Sequence, residues 1–169
     1  MVAQREDMFS RLEYITHDEL WRRPGQNKWS IGENIDHLRV IYASTLSLFS
    51  IAWVLLNPLA YLLRERPFQA GIDNVYRRPG FPQNVGWIWP PKYTPIRPVS
   101  LTDLKRGLIQ IHRQVRTFFT DKPPGMLGNL PLYDPAIGCI NMIQALRVGI
   151  YHDELHFSEI QSQLDLTKP

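Results

Sequence analysis

Two histidines one helical turn apart are the residues of this sequence best placed to do chemistry. In Tyr151-His152-Asp153-Glu154-Leu155-His156 the imidazoles stand at i and i+4, so a single helix presents both to one point, as a metal ion requires. Ala145, Val148 and Glu159 fall on the same face, whereas Arg147, Glu154, Ser158 and Gln161 fall on the opposite one. That division turns the pair toward a core, where a metal-free, hydrogen-bonded pair of core histidines would satisfy the same pattern. A third imidazole is available at His37. Cys139 is the sole cysteine, so the chain can form neither an intramolecular disulfide nor a Cys-based zinc cluster, and any metal must be held by nitrogen and oxygen. The His-Asp-x-x-His string is close to a zinc-peptidase pattern, but Asp153 stands where a glutamate is needed and lies on another face, which argues against a peptidase.

Such a site needs rigid elements to hold it, and the sequence predicts four long helices and no strand series. The first runs from about Arg5 to Ile15, with Met8, Phe9, Leu12 and Ile15 at helical spacing. Thr16 and Glu19 form a capping box that opens a short turn, and Pro24-Gly25 marks a loop. The second helix starts at Ser30, with Glu33 completing its capping box, and is expected to reach about Leu55, with Pro58 opening another short helix. The third runs from Ser100 and Asp103 to about Phe119 and ends at Lys122-Pro123-Pro124-Gly125. The fourth is expected to open at Asp134-Pro135 and extend to about Leu164. Between the second and third helices, residues 67–98 hold half of the chain's 14 prolines together with Tyr76, Phe81, Trp87, Trp89 and Tyr93. The expected architecture is therefore an all-α, four-helix bundle with a long Pro-rich crossover between helices 2 and 3, residues 1–169 forming one domain.

On the second helix His37 shares a stripe with Glu33, Ile41, Ser44, Leu48, Ile51 and Leu55. It lies about 10 Å from that helix's start, and His156 lies about 12–14 Å from the end of the fourth. If the two helices are antiparallel neighbours, His37, His152 and His156 converge at one depth and leave a coordination position for water or substrate.

Composition narrows the classes. With 169 residues, 44% hydrophobic residues and five tryptophans, the chain can close a core. Its net charge is +3, but the basic residues are scattered and form no run, so no nucleic-acid partner is expected. The opening MVAQREDMFSRLEY carries acids where a secretion signal needs an apolar core. Val40 to Leu63 carries no charge and is long enough to span a bilayer, but Ser44, Thr45, Ser47, Ser50, Asn57 and Pro58 interrupt it. The expected reading is a bundle helix in a cytoplasmic protein without a membrane partner.

The stretch Lys28-Trp29-Ser30-Ile31-Gly32-Glu33-Asn34-Ile35-Asp36-His37-Leu38, with Arg23-Pro24-Gly25 before it, resembles the W-S-x-x-E-x-x-x-H-L signature of the DinB/YfiT-like superfamily. The segment from Asp134-Pro135 and Gly138 to His152, His156 and Ile160 resembles that family's C-terminal helix. The resemblance implies a four-helix bundle, frequent dimers and a three-histidine divalent metal site, often nickel or zinc, whose ligands fall on His37, His152 and His156. It also implies thiol-dependent transferases and isomerases among the relatives, hence a low-molecular-weight thiol as a candidate co-substrate. Where the family often carries a small residue and then Gln after the last His, this chain has Phe157, Ser158 and Glu159.

Glu159, one turn beyond His156, is therefore open to three roles: an acceptor that orients an imidazole, a fourth ligand, or a salt-bridge partner. Glu33 is accounted for by capping. His17 and His112 lack partners at ligand spacing and are expected at the surface or its boundary, Cys139 is expected to be a core thiol, and Trp87, Trp89 and Tyr93 either cover the site or anchor the crossover. Two functions follow. One is a divalent-metal-dependent enzyme acting on a small-molecule substrate, by the resemblance a thiol-dependent S-transferase. The other is a non-catalytic bundle with a structural metal, which binds a partner, most economically a second copy in a homodimer, through residues 40–63 and the aromatic crossover. Three histidines plus an open position favour the first, and three histidines plus Glu159 favour the second.

Overall fold

A computed structural model describes residues 2–81 and 89–167. Among them are six α-helices: α1 (Val2–Arg11), α2 (His17–Trp21), α3 (Ile31–Leu63), α4 (Leu101–Thr120), α5 (Pro124–Gly128) and α6 (Met142–Thr167). A short antiparallel hairpin, β1 (Pro131–Asp134) and β2 (Gly138–Asn141), precedes α6, so the chain is predominantly helical. Helix α3 is the hub and packs against α2, α4, α5 and α6. Its first two turns, Ile31 to Leu38, are buried on every side, and Ile35 and Leu38 meet Leu12, Leu20, Leu104, Leu108 and Ile160 in the main core. A second core gathers Phe49, Ala60, Met126, Leu127, Leu130 and Met142. Close packing at the start of α3 depends on Gly32, where a Cβ would lie 2.9 Å from the Trp21 ring.

Local chemistry explains where these helices begin. The capping boxes read at Thr16/Glu19 and Ser30/Glu33 are both formed, each with reciprocal side-chain to backbone bonds. Ser100 caps α4 by accepting from the Asp103 N–H at 3.1 Å.

Three expectations about the elements are corrected. Helix α3 does not stop near Leu55 but runs through Pro58 to Leu63. The carbonyl that Pro58 leaves without a helical donor is that of Val54, a residue 73% exposed, so the break falls on the solvent side of the helix, where a proline is tolerated. The second correction concerns Asp134-Pro135, which opens no helix. Asp134 Oδ1 accepts from the N–H groups of Ala136 at 2.8 Å and Ile137 at 3.0 Å, closing the turn of the β1–β2 hairpin. Helix α6 starts at Met142 instead, where Asn141 Oδ1 accepts from the Gln144 N–H and Gln144 Oε1 accepts from the Asn141 N–H, at 2.9 and 3.0 Å. Finally, Pro123-Pro124 does more than end α4, because it opens the one-turn α5.

The connection from α3 to α4 is tied down by its backbone. Asp36 accepts from the Tyr93 N–H at 2.9 Å, Trp21 Nε1 donates to the Val99 carbonyl at 3.1 Å, and Tyr151 donates to the Ile72 carbonyl at 3.1 Å. Of the aromatics singled out there, Trp87 lies outside the described residues.

Candidate metal centre

His37 projects from the buried start of α3, and His152 and His156 project from consecutive turns of α6. All three are buried, at 1%, 9% and 6% exposure. His152 Nε2 lies 3.4 Å from His37 Nε2 and 3.2 Å from His156 Nε2, and one nitrogen from each ring falls within 4.8 Å of the others.

The far side of two rings determines which atom carries the proton. His37 Nδ1 lies 2.7 Å from the Trp89 carbonyl, which can only accept, so Nδ1 donates and Nε2 is left with its lone pair. His156 Nδ1 lies 2.7 Å from Asn34 Oδ1. The Asn34 amide is oriented by its own donor, Nδ2, which bonds the Ser30 carbonyl at 3.0 Å, so Oδ1 faces the imidazole and His156 Nε2 is likewise a lone pair. His152 Nε2 can carry one proton at most and can satisfy only one of these two neighbours. A cation among the three nitrogens would satisfy all of them, and the donor set fits a borderline divalent ion.

The electrostatics agree. Burial, reinforced by the positive charge His156 would carry, lowers His37 to about 4. Burial and both neighbouring imidazoles hold His152 well below its ordinary value. Neutral imidazoles are the form that binds metal. The Trp29 ring packs 4.7 Å from His37 and stacks at 6.0 Å on His156, and Tyr76 lies 5.5 Å from His152.

Glu159 meets His156 at Nδ1, 3.4 Å away and across the ring from Nε2, with its side chain half exposed. It stands where it orients the ring together with Asn34, outside the cluster of converging nitrogens. Glu33 is fully buried as the α3 cap and as the partner of Arg23, whose Nε donates to Oε2 at 2.8 Å.

A family model described as the DinB superfamily matches residues 1–160. The chain belongs to the DinB superfamily. No curated protein and no solved structure matches it significantly. DinB superfamily members are commonly metal-associated, and the buried three-histidine cluster gives this one residues that could hold an ion.

Other candidates are placed differently from the expectation. His112 is neither superficial nor at the boundary: it is 3% exposed, beneath Tyr42 and between Arg5 and Asp153. Arg5 Nη1 can only donate to its Nδ1, so Nε2 carries the proton and faces Asp153 Oδ2 at 3.7 Å. Asp153 is fully buried, and burial pushes its carboxyl up to about 7 against the lowering pull of Tyr42 and Arg5. Cys139 is not a core thiol but an exposed residue of β2, where the alternation of the strand turns it outward. His17 is exposed, as read. Trp89 contributes its carbonyl to His37, and Tyr93 packs on the main core beside Arg39. Sequence reasoning missed Asn34, Tyr76 and the Trp89 carbonyl. Asn34 alone left a signal, lying one turn before His37 on the same helix.

A cavity of about 570 Å³ reaches the cluster from one side, lined by His37 and His152 at its head and by residues of α3, the hairpin and α6 along its length.

Proposed function

We propose that this DinB superfamily protein is a divalent-metal-dependent enzyme, with His37, His152 and His156 holding nickel or zinc and a low-molecular-weight thiol transferred to an electrophilic small molecule. The convergence of three Nε2 atoms, two of them left as lone pairs because the Trp89 carbonyl and Asn34 hold the ring proton on Nδ1, carries the reading. In such a site a bound divalent ion lowers the pKa of a thiol or water and so supplies a nucleophile near neutral pH. The net reaction forms a sulfur–carbon bond, and the leaving group departs with the thiol proton. The chain's own part is to hold the rings in position, to keep His37 and His152 neutral by burial, and to exclude bulk water with Trp29 and Tyr76. Glu159 lies 3.4 Å from the outer nitrogen of His156, away from Nε2, which supports an open position over a closed structural sphere. The reading takes residues 1–169 as one cytoplasmic, four-helix domain with the Pro-rich connection as its crossover.

The test is metal analysis of the purified protein followed by a screen of thiols against electrophiles, with His152→Ala as control. Stoichiometric metal and turnover that the substitution abolishes are expected, and equal turnover by His152→Ala would overturn the assignment. The second reading, a non-catalytic bundle with a structural metal, is favoured by one observation. Leu48, Ile51, Val54, Leu55 and Leu62 of α3 are 58–77% exposed, as the face of a partner-binding helix would be.

A further inference from the structure

The cavity beside the three histidines has a chemical character of its own. Ile41, Leu46, Phe49, Leu56, Ile140 and Leu146 form its walls, and His37 and His152 stand together at one end. Asp134 is the only formally charged residue among the described residues that line it, and its Oδ1 is already bonded to the N–H groups of Ala136 and Ile137. Tyr42 is also committed, donating to the Gly149 carbonyl at 2.8 Å. No lysine or arginine faces the space among the described residues. A ligand carrying carboxylates would leave water for a wall with no counter-charge, at a cost of several kcal/mol per buried ion. An uncharged apolar body, in contrast, gains about fourfold in affinity for each methylene buried. The volume of about 570 Å³ lies within the range of sites that take a small organic molecule.

We infer that this cavity binds the electrophilic substrate of the site, an uncharged and largely apolar small molecule whose reactive end lies at His37 and His152 and whose body lies between α3 and α6. The inference rests on the metal-dependent reading above and names its substrate class. A polar, carboxylate-bearing thiol is excluded from the cavity and must approach the histidines from elsewhere. The commitment to a small molecule over a second copy of the chain comes from continuity with the histidine cluster: the groove ends on two of the three converging rings.

The test uses the full chain loaded with zinc and titrated by calorimetry with neutral 1-alkanols from hexanol to decanol. Affinity is expected to rise about fourfold per added methylene. Ile51, at 58% exposure on the cavity rim, tolerates a charge without disturbing the core, so Ile51→Asp is expected to weaken decanol about tenfold while leaving metal content unchanged. His152→Ala is expected to lose the metal yet keep the chain-length dependence, which separates failure of the metal reading from failure of this one. Affinity that is flat with chain length, an Ile51→Asp protein that binds like its parent, or displacement of decanol by glutathione would each overturn the inference. An absence of binding in a protein that sediments as a dimer would overturn it in favour of a second copy seated in the groove.

Discussion

Asn34 does for His156 what the Trp89 carbonyl does for His37: each accepts from Nδ1–H, fixes the proton there and leaves Nε2 free to bind. Removing that acceptor lets the ring rotate and adopt the wrong tautomer, so Asn34→Ala is expected to weaken metal binding about 10–100-fold with the fold intact. Competitive titration against a chelator, with circular dichroism as the folding control, measures it. Glu33 illustrates a different use of a buried polar residue. Burial alone would raise its carboxyl, but hydrogen bonds from Arg23 and from the Ser30 N–H prevail and hold it below the ordinary range. Its folded pKa is thus depressed, and the stability it contributes is complete above the unfolded value and lost as pH falls through the folded one. Acid unfolding below about pH 4.5 is expected to be less steep in Glu33→Gln, at the cost of a lower midpoint near neutrality. Thermal melts across pH 3–7 would show it, and parallel profiles for the two proteins would refute the assignment.

At the scale of elements, α6 shows what a single sequence conveys and what it does not. The His152/His156 pair was legible because helical periodicity is local: side chains four apart share a face wherever the helix begins. Its start was not legible, because a carboxylate that accepts from N–H groups two and three residues on serves an Asx turn as well as a helix cap. Only the pairing of Pro131–Asp134 with Gly138–Asn141 decides between them. The cap that does operate, Asn141 with Gln144, is expected to be worth about 1 kcal/mol to Asn141→Ala in chemical denaturation, and an unchanged midpoint would remove it. Pro58 was misread for a related reason, since whether a proline ends a helix depends on whether water reaches the carbonyl it leaves open. The helix starts at Thr16 and Ser30 were read correctly because both partners of each capping box lie within four residues. The Trp89 contact was invisible because a carbonyl carries no residue identity, and only the path of a long connection brings it to His37.

Over the whole molecule, the main asymmetry lies along α3. Its first turns are buried with Glu33, Asp36 and His37 all engaged, whereas beyond Leu46 it shows apolar side chains to the outside. By length and composition this helix would suffice to cross a membrane, with 11% of its most apolar window buried. The charges at its start are partnered within the fold: Asp36 and Arg39 form an ion pair of 2.7 Å, and Asp36 also holds the connection to α4. An exposed apolar stripe of this kind marks an interaction face, and we propose that a second copy of the chain covers it, each copy shielding the other's stripe across a twofold axis. Val54 and Leu62, 73% and 77% exposed, lie on this surface without lining the cavity, so they can be changed independently of ligand binding. The expected outcome is a dimer in sedimentation equilibrium at micromolar concentration, converted to monomer by Val54→Lys with Leu62→Lys. Metal content and alkanol affinity are expected to be preserved in that variant, because the three histidines and the cavity walls belong to one chain. A wild-type protein that is monomeric at these concentrations would overturn the pairing, and loss of metal on dissociation would show that the second copy supports the site.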